Sequence, residues 1–261
     1  MSAPVTDAVP AVGAGGGAPV LEVADVSVRF GGINAVSDVA FTALSGQITG
    51  LIGPNGAGKT TTFNVITGLQ QPTSGRVFIG GKDVSGLPPH KRARLGIART
   101  FQRLEVFGSL TVYENILAAA EFRRSWSGDR TPPRQVAAEI VGRVGLGTVA
   151  DARVDALPTG LARLVELGRS LATRPRLLLL DEVGSGLNHD ETEALGDLML
   201  ALAQDGVAIL LVEHDVELVM RVCTRIYVLD FGRLIAAGTP SEIQHDAAVQ
   251  AAYLGVDEET G

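Results

Sequence analysis

The residues Gly53-Pro54-Asn55-Gly56-Ala57-Gly58-Lys59-Thr60 match the phosphate-loop pattern G-x-x-x-x-G-K-[ST] in full. Its glycines let the backbone curl until successive N–H groups point at one spot, and a following helix adds the positive end of its dipole there. That is a cradle for a polyphosphate. Lys59 is placed to reach the β- and γ-phosphates, the Thr60 hydroxyl to ligate Mg²⁺, and Thr61 continues into the helix. A second pair of chemical groups closes the apolar run Arg176-Leu177-Leu178-Leu179-Leu180-Asp181-Glu182. Two carboxylates at the C-terminal end of a buried strand lie on the edge where ligands sit in an open α/β sheet. Asp181 is expected to hold the Mg²⁺ shell through water, and Glu182 to orient and polarise an attacking water. Lys59 and Glu182 are therefore candidate catalytic groups of a nucleotide hydrolase.

Such a site needs a strand, a loop and a helix in that order, and the sequence supplies them. Ile48 to Ile52 reads as a strand running into the loop, and Thr61 to Gly68 as the helix after it. Leu21 to Phe30 alternates like a half-buried strand. Leu177 to Leu180, Val207 to Val212 and Ile226 to Leu229 are short Leu/Val/Ile runs that fit fully buried strands of a central sheet. Between the two halves, residues from about 103 to 171 read as mostly helical, with a break at Ser125 to Pro133 that fits a surface loop. The fold expected is α/β, a P-loop NTPase core with an inserted helical subdomain, spanning residues 20–255. Residues 1–19, rich in Ala, Gly, Val and Pro, read as a disordered tail, and residues 256–261 as an acidic, solvated end.

Composition excludes several alternatives. With 22 Lys+Arg against 29 Asp+Glu, the formal charge of -7 opposes wrapping a nucleic acid unless basic residues cluster on one face. The basic run available is His90, Lys91, Arg92 and Arg94, so no nucleic-acid partner is expected. No apolar stretch approaches the roughly 20 residues that a spanning helix requires, and the first residues lack the charged and apolar regions of a signal peptide. The single cysteine, Cys223, reads as a buried apolar thiol of a reducing compartment.

These motifs, taken in order, resemble those of ABC-transporter ATPases over about Leu21 to Leu254. The resemblance rests on Gly53 to Thr60, on Gln102 in Arg99-Thr100-Phe101-Gln102, on Asp181-Glu182, on Ser185-Gly186-Leu187-Asn188 and on His214. It implies that Phe30 stacks on adenine, that Gln102 touches Mg²⁺ and senses a membrane subunit, that Asn188 lies in the D-loop at a dimer contact, and that His214 contacts the γ-phosphate. Within that family the chain is most similar to the LivG-type ATPases of branched-chain amino-acid importers. Arg29-Phe30-Gly31-Gly32, the phosphate loop with Thr61, Arg99 to Gln102, Gly186-Leu187-Asn188 and the ending Ala252-Tyr253-Leu254-Gly255 carry this second resemblance. ATPases that import urea or serve lipopolysaccharide export share several of these strings. The resemblance implies ATP and Mg²⁺ as cofactors, and membrane permease subunits, a second ATPase subunit and a solute-binding protein as partners. It places the chain on the cytoplasmic face of the cell membrane. A regulatory subunit that closes on ATP and hydrolyses it slowly is the alternative in a different class.

The sequence departs from the family at its signature. Where Leu-Ser-x-Gly-Gln is usual, this chain has Leu157-Pro158-Thr159-Gly160-Leu161. Pro158 removes a hydroxyl and a backbone donor, and Leu161 removes an amide side chain. Val183 likewise stands where proline is common after the Asp-Glu pair. In the family each signature serves the opposite protomer's phosphate loop, so the resemblance implies a heterodimer with an ATPase bearing an intact signature ahead of a homodimer, in which Thr159 and Gly160 would have to restore the grip.

Overall fold

The computed structural model describes residues 19–254, with the side chains of Tyr253 and Leu254 left aside, so both expected tails, Pro19 excepted, lie outside the described residues. The chain opens with two long strands, β1 (Pro19–Phe30) and β2 (Ile33–Leu44), followed by β3 (Ile48–Ile52). A turn through Gly31 at φ 56° brings Phe30 opposite Ile33, and the hairpin pairs antiparallel back to Pro19 and Leu44. On its other edge β1 pairs antiparallel with β4 (Ser74–Ile79), which in turn carries β5 (Lys82–Asp83). This small antiparallel sheet is set apart from the central one. Sequence periodicity picked out β1 as a strand but gave no sign that it belongs to a separate sheet, because alternation reports exposure and not the pairing partner.

The central sheet has the order β10-β9-β3-β8-β7-β6. Its strands are β6 (Ile97–Arg99), β7 (Leu177–Asp181), β8 (Ala208–Val212), β9 (Arg225–Asp230) and β10 (Arg233–Gly238), together with β3. All neighbours are parallel except β9 and β10. Every residue of β3, β7 and β8 is buried, which explains why these strands read as continuous apolar runs: both faces of the sheet are covered. Alternate side chains serve two cores. Leu178, Leu180, Ile209 and Leu211 face one, while Leu177, Leu179 and Leu210 face the other beneath β1 and β2.

The helices are α1 (Lys59–Thr67), α2 (Pro89–Ala93), α3 (Val112–Ser127), α4 (Pro133–Arg143), α5 (Thr159–Ala172), α6 (His189–Gln204), α7 (Val216–Val222), α8 (Pro240–Gln244) and α9 (Ala247–Leu254). The inserted helical region is therefore α3 to α5. It starts later than expected, at a Thr111–Glu114 capping box. The break between α3 and α4 is also narrower, since α3 runs to Ser127 and ends at Gly128 in the left-handed conformation, φ 70°. In α5, a Cβ on Gly168 would come within 2.8 Å of the Ile116 side chain of α3, so glycine there allows the two helices to approach.

Of the basic run, Arg92 is no surface charge. It is 1% exposed and donates to the carbonyls of Val65 (2.6 Å) and Ile66 (2.9 Å) in the last turn of α1 and to those of Leu87 (2.9 Å) and Ser85 (2.8 Å). Cys223 is buried as expected, and burial pushes its thiol up to about 12. Among the described residues, no helix is long and apolar enough to cross a membrane.

Candidate nucleotide site

The loop between β3 and α1 is shaped by glycines that no other residue could replace without strain. A Cβ on Gly53, φ 150°, would lie 2.0 Å from the Leu229 carbonyl, and one on Gly58, φ 105°, would lie 2.7 Å from the Ala35 carbonyl. The loop is thus pressed against the end of β9 and against β2. Asn55 and Gly56 are exposed at its tip, Pro54 and Thr61 are half-buried, Ala57 is buried, and the exposed Thr60 begins α1 just after Lys59. Lys59 folds back across the loop and donates to the carbonyls of Gly53 (2.6 Å) and Pro54 (2.9 Å). Burial lowers the pKa of its ammonium group, against the opposing pull of Glu182 and Asp181.

Across a cavity of about 220 Å³ the phosphate loop faces Gln102 and Glu182. Glu182 follows β7 with φ 53°, a left-handed conformation unusual for a branched-out side chain, held by its own N–H bonding to the Val212 carbonyl at 2.9 Å. One oxygen, Oε1, accepts from Gln102 Nε2 at 3.0 Å and lies 2.8 Å from His214 Nε2. Three of the residues singled out in the sequence therefore meet on one atom. Asp181 lies beneath them, 1% exposed, with Arg99 on its Oδ2 at 2.8 Å. Phe30 ends β1 with its ring half exposed, and Ala35 on the following strand lines the cavity.

The donors available suit Mg²⁺. The Thr60 hydroxyl, the Asp181 carboxylate and the Gln102 amide oxygen are hard oxygen groups, and among the described residues no cluster of three or more His, Cys, Asp or Glu forms a metal cage of its own. A few protein oxygens completed by phosphate and water is how Mg²⁺ is usually held.

The signature segment opens α5. Pro158 occupies the N-cap without a side-chain hydrogen bond, and Pro158 and Thr159 are both exposed. Gly160 is buried against the loop before α6, where a Cβ would sit 2.8 Å from the Gly186 carbonyl, and Leu157 and Leu161 are partly buried against the hydrophobic core. Asn188 is exposed at the end of that loop, and its side chain caps α6 through a box with Glu191.

Several residues that shape the site escaped the sequence reading. Arg163 on α5 donates to the carbonyls of Phe101 (2.6 Å) and Gln102, while Glu166 accepts the Phe101 N–H at 3.0 Å. The helix that carries the signature thus holds the backbone of Gln102. Glu213, 8% exposed, accepts the Gly184 N–H at 2.8 Å and steadies the turn after Glu182. Only helical phase and adjacency to His214 pointed to these residues in the sequence.

Burial raises the pKa of Glu213, reinforced by the nearby charge of Glu182 and opposed by hydrogen bonds from the Gly184 and His214 N–H groups and by the His214 charge. A carboxyl group whose folded pKa lies above its ordinary value of 4.5 binds protons more tightly in the folded state, so its share of stability is present in acid and is lost as pH rises from 4.5 through the folded pKa. Glu213→Gln keeps an acceptor for Gly184 and abolishes the titration. Thermal melts should show the variant a few degrees more stable than the parent at pH 8, with the gap closing toward pH 4.5.

Known proteins share this arrangement. Residues 36–185 match the family model described as ABC transporter, and residues 233–259 match one described as branched-chain amino acid ATP-binding cassette transporter. The high-affinity branched-chain amino acid transport ATP-binding protein BraF of Pseudomonas aeruginosa is 40% identical over 254 residues, covering 91% of this chain and 98% of BraF. The lipopolysaccharide export system ATP-binding protein LptB of Haemophilus influenzae is 37% identical, with 90% and 97% covered. The crystal structure of a nucleotide-free ATP-binding cassette from an ABC transporter superposes with a TM-score of 0.81 at 29% identity, covering 90% of this chain and 99% of that one. On these likenesses the chain belongs to the ABC transporter family as one of its ATP-binding proteins.

Proposed function

We propose that this chain hydrolyses ATP on the cytoplasmic face of the cell membrane and so drives uptake of branched-chain or similar amino acids through separate permease subunits fed by a solute-binding protein. The observation that carries the reading is the cavity in which the phosphate loop faces Gln102 and Glu182. Phe30 offers an exposed ring to the adenine. Lys59 exchanges two backbone carbonyls for phosphate oxygens. Thr60, Gln102 and, through water, Asp181 would hold Mg²⁺, which would supply positive charge to offset that developing on the phosphates. Glu182 orients the attacking water and takes up its proton, while His214, paired to the same carboxylate oxygen, reaches the terminal phosphate.

The likeness of the C-terminal segment, residues 233–259, to the branched-chain amino-acid cassette model favours amino acids over lipopolysaccharide export. Reconstitution with its permeases in vesicles tests this: leucine, isoleucine or valine presented by the binding protein should raise ATP turnover. Stimulation by lipopolysaccharide or urea alone would replace the substrate assignment.

The assembly is read as a heterodimer. Pro158 and Thr159 are exposed where the partner's nucleotide would lie, yet proline offers neither hydroxyl nor N–H. Losing one charge-assisted donor at a γ-phosphate costs about 1.5 to 3 kcal/mol, or roughly ten- to a hundred-fold. The purified chain alone should therefore hydrolyse ATP about ten-fold or more below the full complex, and Pro158→Ser with Leu161→Gln should raise the homodimer's rate. Equal rates for chain and complex, or no gain in the double variant, would favour a homodimer.

A further inference from the structure

Arg99 has no part in the mechanism above, yet its side chain, 6% exposed, lies next to the site with both terminal nitrogens engaged. Its guanidinium forks: Nη1 donates to Asn64 Oδ1 on α1 at 2.7 Å, and Nη2 donates to Asp181 Oδ2 at 2.8 Å. The ring of Phe63 lies 5.3 Å from it and that of Phe101 lies 5.0 Å from it. The three segments that build the nucleotide site, namely the helix after the phosphate loop, the end of β7 and the strand leading to Gln102, therefore meet on one planar group. Neighbouring contacts reinforce the junction. Thr100 Oγ1 accepts the Asp181 N–H at 3.1 Å, and the Ser170 hydroxyl of α5 donates to the Arg99 carbonyl at 3.3 Å.

We propose that Arg99 is a positioning residue that fastens the Asp181 carboxylate to the phosphate-loop helix and so sets where the metal ion of the nucleotide is held. The inference rests on the nucleotide-site reading given above. The forked geometry matters, because one donor fixes the Asp181 oxygen while the other fixes its height above α1. A flexible single-point cation cannot do both. The two aromatic faces hold the plane of the fork, so its two contacts are set together. Residues that hydrogen-bond a metal ligand without touching the metal typically change metal affinity by about 10- to 100-fold when removed.

The test separates metal affinity from nucleotide affinity. Mn²⁺ binding to the full chain with ADP is followed by electron paramagnetic resonance, and a fluorescent ADP analogue is titrated separately in EDTA. Arg99→Met should weaken Mn²⁺ binding at least ~10-fold while metal-free nucleotide affinity stays within ~2-fold of the parent. Unchanged Mn²⁺ affinity in Arg99→Met would overturn the proposal, as would an equal loss of both affinities, which marks a merely structural role. Should Arg99→Met fail to fold, Asn64→Ala decides. It releases the other arm of the fork without stranding Asp181, and it should weaken Mn²⁺ binding alone, whereas unaltered binding overturns the proposal. A parent protein that binds no nucleotide at all would instead overturn the nucleotide-site reading, and this inference with it.

Discussion

Glu182→Gln should leave a protein that binds Mg-ATP as the parent does and hydrolyses it at least ~10²-fold more slowly. The expectation follows from the environment of one oxygen. Glu182 Oε1 accepts from Gln102 and is paired with His214, while the backbone turn at φ 53° projects the side chain into the cavity opposite the phosphate loop. Glutamine keeps the shape and fits the same turn. It carries no charge to polarise a water, and an amide is a far weaker proton acceptor than a carboxylate. The phosphate loop, Lys59 and Thr60 are untouched, so binding persists. Single-turnover hydrolysis of radiolabelled ATP measures the chemical step, and size-exclusion chromatography with ATP should show a dimer that persists because the nucleotide is no longer cleaved. Near-normal turnover in the variant would remove Glu182 from the mechanism.

The strands of the parallel sheet were legible in the sequence because burial on both faces leaves an apolar run with few alternatives, and the structure places β3, β7, β8 and β9 within about a residue of those runs. The phosphate loop was legible for a different reason. Its glycines are fixed by backbone conformation and close approach at Gly53 and Gly58, which no other residue type tolerates. Less was legible where one side chain acts through distant backbone. Arg92 read only as one member of a basic run but is buried against the end of α1, since nothing in such a run tells which residue turns inward. Arg99 stood inside a quoted motif, yet its partners Asn64 and Asp181 lie 35 and 82 residues away, and only folding brings them together.

Side-chain contacts across the chain also couple α5 to Glu182. Arg163 and Glu166 of α5 bond the backbone at Phe101 and Gln102, and Gln102 in turn bonds Glu182. A displacement of α5 must therefore move Gln102 or break hydrogen bonds that are mostly shielded from water, in which local polar contacts are strong. The signature at the start of α5 and the hydrolytic carboxylate are thus joined within one chain through two residues.

Lys59→Ala is expected to separate binding from folding. Lys59 is 8% exposed and its ammonium group spans the carbonyls of Gly53 and Pro54, so it braces the loop from within. Alanine is the best helix former and sits at the first position of α1, so the helix itself is preserved. The Pro54 carbonyl also accepts the Ala57 N–H at 3.2 Å, so it keeps a partner when the ammonium is removed, which limits the cost to stability. The loss falls on the ligand instead. Each charge-assisted hydrogen bond to a phosphate oxygen is worth about 1.5 to 3 kcal/mol, so removing the ammonium should weaken ATP binding by ten- to a hundred-fold or more. Burial has already stripped this ammonium of much of its water, as its lowered pKa indicates, so phosphate oxygens restore to it what solvent no longer provides. A fluorescent ATP analogue titrated against parent and variant, with circular dichroism melts of both, measures the two effects separately. Weak binding with a melting temperature within a few degrees of the parent is the result expected, whereas unchanged affinity and turnover would refute the phosphate-loop assignment. Glu182→Gln in the same titration should bind like the parent, so the two variants together tell a lost ligand contact from a lost chemical step.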